Sequence, residues 1–195
     1  MRMYRKLLVT MTLCLVWMIP AKAWNGLRVN LDWGYMAAVH QMYNYNYLAE
    51  EGFRVDQKGS NMLLNSNGLI KMFIGSRIGN HTELGVFSGY EGIRQDRRII
   101  PLGLRANWAF RGLNVDGPMC YIEGGAAFHN DCKTTGTGAA GIGWHLQLDH
   151  GCGLDVKLGV NLSGDHPPIL GVPNDNLLKS NYTYTGISLT IGISF

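Results

Sequence analysis

Gly186-Ile187-Ser188-Leu189-Thr190-Ile191-Gly192-Ile193-Ser194-Phe195 alternates without a break. Its odd positions are Ile, Leu, Ile, Ile and Phe, and its even positions are Gly, Ser, Thr, Gly and Ser. Successive side chains of a strand point to opposite faces, so this segment reads as a β-strand with one apolar face and one small, polar face.

The same period recurs upstream. Leu154, Val156, Leu158, Val160 and Leu162 alternate with Asp155, Lys157, Gly159, Asn161 and Ser163. Ala140 to Leu148 and Leu27 to Tyr35 repeat the pattern, and noisier versions run over Gly68–Gly79, His81–Glu91, Arg98–Phe110 and Met119–Phe128. That makes eight strands of about ten residues, the length of tilted membrane-crossing strands and longer than the usual strand of a soluble protein. No stripe of helical period and no window of 18 apolar residues competes with this reading. Gly79-Asn80-His81, Asp149-His150-Gly151 and Arg111 to Pro118 form turns on one side. The connections on the other side run over Ala37–Asn67, Arg94–Arg97, His129–Gly136 and Gly164–Asn181. An unpaired strand edge in hydrocarbon leaves backbone groups without partners, so such a sheet has to close on itself. The expected fold is therefore all-β, an eight-stranded antiparallel up-and-down transmembrane β-barrel. Short turns would lie on the periplasmic side and longer loops outside, with Trp33, Tyr35, Trp108 and Trp144 at the membrane interfaces. A secreted sandwich or lipocalin-like barrel shares the alternation but has no use for such long apolar faces.

The 195 residues suit one domain, and charged residues make up only 16%, below the usual quarter. Arg2, Arg5 and Lys6 precede an uncharged run from Leu7 to Ile19, and Pro20-Ala21-Lys22-Ala23 offers an A-x-A site. This reads as a secretory signal peptide over 1–23, with an apolar run too short to span a bilayer, leaving 24–195 as the barrel domain. Four of the 17 Lys+Arg lie in that leader, so the remaining 13 face 14 Asp+Glu. The basicity of the whole chain belongs to the export signal, and no nucleic-acid partner is expected. Cys120, Cys132 and Cys152 are an odd set without zinc spacing. They read as barrel or rim residues, with a pairing between two of them left open. No cofactor or metal is expected.

If the apolar parity faces lipid, the other parity faces the lumen. That set contains Arg28, Lys71, Arg77, Arg105 and Lys157, with Asp32, Glu83, Glu123, Asp155 and His145. An eight-stranded barrel is just wide enough for side chains to fill it, and isolated charges there are too costly to remain unpaired. The expectation is a charge-balanced network that plugs the barrel; a narrow, gated channel is the alternative.

Few residues suggest chemistry. Ser163-Gly164-Asp165-His166 brings a hydroxyl, a carboxylate and an imidazole to the end of a strand. Nucleophilic catalysis, however, needs an oriented base that sequence neighbours on a strand rarely supply. His129-Asn130-Asp131-Cys132 reads as a polar loop, and the glycines from Gly136 to Gly143 follow no phosphate-loop pattern. Tyr43, Tyr45 and Tyr47 alternate with Asn44 and Asn46. They read either as a contact surface in a 37–67 loop open to an extracellular ligand or as a strand continuing beyond the membrane.

Arg98-Ile99-Ile100-Pro101-Leu102-Gly103-Leu104-Arg105 resembles the I-P-L-x-L-(K/R) strand of the small PorT-like outer-membrane β-barrel proteins, with Gly103 where a bulky residue is usual. Tyr121-Ile122-Glu123-Gly124-Gly125 resembles the strand that follows, and Asn25 to Leu31 the opening one. The architecture is similar to the OmpA transmembrane domain and OmpX. The resemblance implies residence among outer-membrane lipids of a Gram-negative-type cell and insertion by the barrel-assembly machinery. Ile191, Ile193 and Phe195 would be the assembly signal. It implies no catalytic residues. The expected protein is not an enzyme: it is a plugged integral outer-membrane barrel presenting loops for surface interaction or envelope support. A rim-sited lipid-modifying deacylase or acyltransferase is the alternative.

Overall fold

The computed structural model describes residues 26–49, 51–93, 97–129, 134–148, 151–168 and 176–195. The leader over 1–23, Cys14 and Cys132 lie outside them; Cys120 and Cys152 are both free thiols. The alternating segments become eight strands: β1 (Leu27–Leu48), β2 (Arg54–Arg77), β3 (Thr82–Gly92), β4 (Arg98–Ala109), β5 (Gly117–His129), β6 (Thr134–Gln147), β7 (Gly153–Asp165) and β8 (Leu177–Ser194). Each pairs antiparallel with its sequence neighbours, and β8 closes on β1.

The ring is sheared. Following register partners from Ser66 through Ala37, Ile187, Val160, Ala140, Ile122, Ala106 and Leu84 leads back to β2 at Ser76, ten residues further along. Such a stagger over eight strands tilts them by roughly 40° and leaves an interior only side chains can fill. Parity follows β8 all round. Its odd positions Ile187, Leu189, Ile191 and Phe195 lie outward and exposed, whereas Ser188, Thr190 and Ser194 are buried inside.

Three strands outgrow the others. β3 stops at Gly92 and β7 at Asp165, while β1, β2 and β8 run on as a three-stranded sheet. This corrects the reading of 37–67 as a loop and agrees with its alternative, a strand continuing past the barrel: all but the connection over 49–53 is strand, and 177–181, read as loop, also belongs to β8. The physical reason is a bulge. Ala38 pairs with Asn65 and His40 with Met62, so one β1 residue faces two on β2, and inward parity passes from even to odd positions on β1. Past that point simple alternation no longer matches the frame set by the barrel. Among the described residues, β2 from Arg54 to Gly68 pairs with β1 alone, since its ladder with β3 begins at Leu69.

Apolar side chains pack together at the rim carrying this extension. Met36, Ile93, Ile99, Ala127 and Tyr184 form a buried cluster, with Leu63 and Tyr182 packed against it. Ile93 reaches it from just beyond β3, where its N–H donates to the Arg97 carbonyl (2.9 Å). At the opposite rim Leu113, in the β4–β5 connection, is buried beneath the barrel.

Candidate functional site

The lumen is a single linked set of charges. At the rim holding the short turns, Arg28 meets Glu83 (3.1 Å) and also donates to the Leu113 carbonyl (2.9 Å) and to Ser194 (2.8 Å). Its other terminal nitrogen lies 3.4 Å from His145 Nε2, and His145 Nδ1 donates to Asp155 (2.6 Å). Asn30 donates to the second oxygen of Asp155 (2.7 Å). Lys157 bridges Asp155 (3.4 Å) and Asp32 (2.7 Å). Arg105 then joins Asp32 (2.6 Å) to Glu123 (2.7 Å). Lys71 pairs with Glu123 and with Glu91 (3.3 Å), and Ser163 donates to Glu91 (3.3 Å). β1 to β7 each contribute a charge or an imidazole, and β8 contributes the Ser194 hydroxyl. Isolated, each of these buried charges would be prohibitive; linked, each has an opposite charge and hydrogen-bond partners.

Arg105 sits at the centre. The Phe73, Phe87 and Tyr121 rings lie 5.5–5.6 Å from its guanidinium carbon, and Lys71 lies 5.5 Å from the Phe87 ring. These are cation–π distances in a desolvated setting. Inward glycines stand opposite one another, Gly75 with Gly85, Gly103 with Gly125 and Gly141 with Gly159; Gly75 leaves room for the Phe73 ring, and Gly141 and Gly159 for Tyr121. At Gly103 the wall folds so sharply that an added Cβ would lie 2.2 Å from the Gly124 carbonyl oxygen. The space left at this level, between Asp32, Lys71, Arg105 and Tyr121, is about 10 Å³, room for about one water.

Nine of the ten residues assigned to the lumen by parity, Arg28, Asp32, Lys71, Glu83, Arg105, Glu123, His145, Asp155 and Lys157, are buried there. Arg77 is the correction. It shares their parity but stands at the end of β2, exposed at the rim, where its guanidinium donates to Asn114 (2.6 Å). Glu91 and Asp165 are buried charges absent from that assignment. Asp165 accepts both nitrogens of an Arg97 fork (2.5 and 2.9 Å) and lies 3.2 Å from His129 Nδ1.

That arrangement dismantles the hydroxyl–imidazole–carboxylate grouping of Ser163, Asp165 and His166. Ser163 bonds Glu91, Asp165 bonds Arg97, and His166 Nδ1 donates to the Ser180 carbonyl (2.6 Å). No group of three metal-ligating side chains occurs among the described residues; of the His129–Cys132 stretch only His129 is described.

Above the rim, Tyr43, Tyr45 and Tyr47 stand on the inner face of the three-stranded sheet, since Tyr43 pairs directly with the inward Tyr182. Tyr45 donates to Gln57 across the β1–β2 ladder. Desolvation first, and then Tyr43 and Tyr47, hold the Tyr45 phenol above its ordinary range. Arg54, Asp56, Lys58 and Lys179, the charged residues of this sheet, all fall on the outer face.

No family profile and no curated protein sequence matches the chain, so the PorT-like resemblance rests on its three short motifs. Solved structures do match. Neisserial surface protein A (NspA) aligns at a TM-score of 0.53 with 13% identity, over 87% of this chain and 96% of that one. The outer membrane protein OprG from Pseudomonas aeruginosa aligns at 0.53 with 11% identity, again over 87% and 96%. At such identities the likeness is one of architecture, and the fold of this chain is that of the small eight-stranded barrels of bacterial outer membranes.

Proposed function

We propose that this chain is an integral outer-membrane barrel with a closed lumen, not an enzyme, and that it presents the β1–β2–β8 sheet outside the cell as a binding surface. The observation that carries this reading is the lumen itself, a chain of paired charges and their hydrogen-bond partners drawn from β1 to β7, joined to β8 through Ser194 and capped at both rims. Solute has no path through it. The outside of the wall fits lipid rather than water. Leu104, Ile122 and Ile142 are 60–65% exposed, and comparable apolar side chains surround the ring, a patch far larger than soluble monomers tolerate. Ten tilted residues make that band roughly 25 Å tall, the height expected of an outer-membrane barrel. The leader over 1–23 supplies the export route, and the short turns then lie in the periplasm with the extension outside.

The motif resemblance agrees with this reading at one informative place. Arg105 ends the I-P-L-x-L-(K/R) motif, and its register partner Glu123 stands in the motif that follows. The shared residues therefore build the lumen rather than a reaction centre.

The test uses purified protein refolded in detergent or bilayers. Unheated protein is expected to migrate differently from boiled protein on SDS gels and to produce no steady current in planar bilayers. A large, stable single-channel conductance would overturn the closed lumen, and recovery in the soluble fraction without a mobility shift would overturn membrane residence. Lipid A from cells with and without the protein is expected to have the same mass profile; altered acylation would make the protein an enzyme.

A further inference from the structure

The inner face of the extension is a surface that barrel closure does not use. Tyr47, Tyr45, Tyr43 and Tyr182 follow one another with ring centroids 6.2, 5.7 and 6.0 Å apart and planes within 22–29°. Tyr184, 6.3 Å beyond Tyr182, fixes the foot of this ladder in the apolar cluster. Tyr43 lies across Gly59, where an added Cβ would collide with its ring and hydroxyl. The hydroxyl end of the ring therefore passes directly over bare backbone, with the ring on the side of the sheet that faces the barrel mouth. Gln41, Gln57 and Asn61 share this face by register. From Gln41 to Tyr47, Val55 to Asn61 and Ser180 to Tyr184, no inward position carries a formal charge.

We infer that this face binds a neutral polysaccharide chain from outside the cell. The inference rests on the extracellular placement of the extension and gives that surface a ligand class. An aromatic ring presents a negative π-face, against which the polarised C–H groups on the flat side of a pyranose pack. Amides and phenols supply both donors and acceptors for sugar hydroxyls without favouring an ionic group. The ring spacing is comparable to the repeat of a pyranose chain, so successive sugars meet successive tyrosines. A sulfated or phosphorylated glycan calls for Arg or Lys, and this sheet keeps both on its other side. A folded protein partner needs a wider surface with an apolar centre, whereas three strands span only about 10 Å. The source is also set by geometry. The membrane's own headgroups surround the barrel wall below, on the outer side of the sheet, where Arg54, Lys58 and Lys179 also lie. The tyrosine face looks across the barrel mouth and, among the described residues, Tyr43, Tyr45 and Tyr47 are partly exposed there to a soluble chain.

The full-length mature protein, shown to be folded by its heat-modifiable migration, is applied to arrays of neutral glycans, anionic glycans and peptides. Neutral binders are then titrated calorimetrically, with maltohexaose and cellohexaose as reference probes. Binding to neutral glycans is expected. Tyr45→Ala and Tyr47→Ala should each weaken it about tenfold, Tyr45→Phe should stay within about threefold, and Arg54→Ala should leave it unchanged. Saturation-transfer NMR on the unmodified protein provides a reading independent of variant folding: irradiating the aromatic protons should saturate the sugar ring protons. An array with no neutral binder, binding confined to anionic glycans or peptides, or neutral binding without aromatic saturation transfer would overturn the inference. A heat-modifiable, non-conducting protein with a negative array loses only the glycan assignment, because the folding and conductance tests do not involve these tyrosines.

Discussion

Arg105 gathers two carboxylates and three aromatic faces around one guanidinium. Arg105→Met keeps most of the bulk and leaves Asp32 and Glu123 short of a counter-charge. Removing one partner of a buried pair costs about 3–5 kcal/mol, so the urea midpoint of the heat-modifiable form should fall sharply. Gly103→Val meets a different obstacle, the backbone of β5, which cannot yield as a side chain can. No heat-modifiable species is expected from that variant, and this also accounts for a glycine where the resembling motif has a bulky residue. Polarity and parity agree for Arg28, Asp32, Asp155 and Lys157, which makes such inward residues legible from sequence. They disagree for Phe73, Phe87 and Tyr121, aromatics on the inward parity, and this blurs the segments read as noisy. Glu91 carried a signal that could have found it, since it lies eight residues on from Glu83 and keeps its parity. Arg77 shows the reverse limit: parity gives the face of a residue and says nothing of whether the wall still encloses it.

At the scale of elements, the positions of the eight crossings were legible because hydrocarbon on one side and a packed lumen on the other impose strict period two. β1, β2 and β8 are longer than that reading because the imposition ends with the lipid. Above the rim, water reaches both faces of the sheet, and the bulge at Ala38/His40 shifts the frame. Tyr43-Asn44-Tyr45-Asn46-Tyr47 still alternates on the same odd positions, but past the bulge those positions face inward instead of outward. The ring of hydrogen bonds is complete beneath this level. Replacing residues 43–58 with a short turn should therefore leave the heat-modifiable shift intact and lower the urea midpoint little, as read by densitometry of unheated samples. Loss of the shift would mean that the extension helps hold the barrel closed.

Across the whole molecule, closure hides every strand edge within the membrane, yet β2 from Arg54 to Gly68 is bonded on one side only among the described residues. Arg54, Asp56 and Lys58 guard its outer end. Gly59 to Gly68 holds no charge and no proline, and Met62 and Leu64 are 84% and 93% exposed. Symmetry determines what this edge can join. Two copies in one membrane are related by rotation about its normal, so both β2 strands descend toward the lipid and cannot run antiparallel to each other. Freed into micelles, one copy can invert and bring the two edges together about a two-fold axis across the strands. The protein is thus expected to be monomeric in bilayers and to form head-to-head dimers in concentrated detergent, read by cross-linking at Met62→Cys in each medium. The bilayer, by fixing which way is up, protects the exposed edge from its own kind.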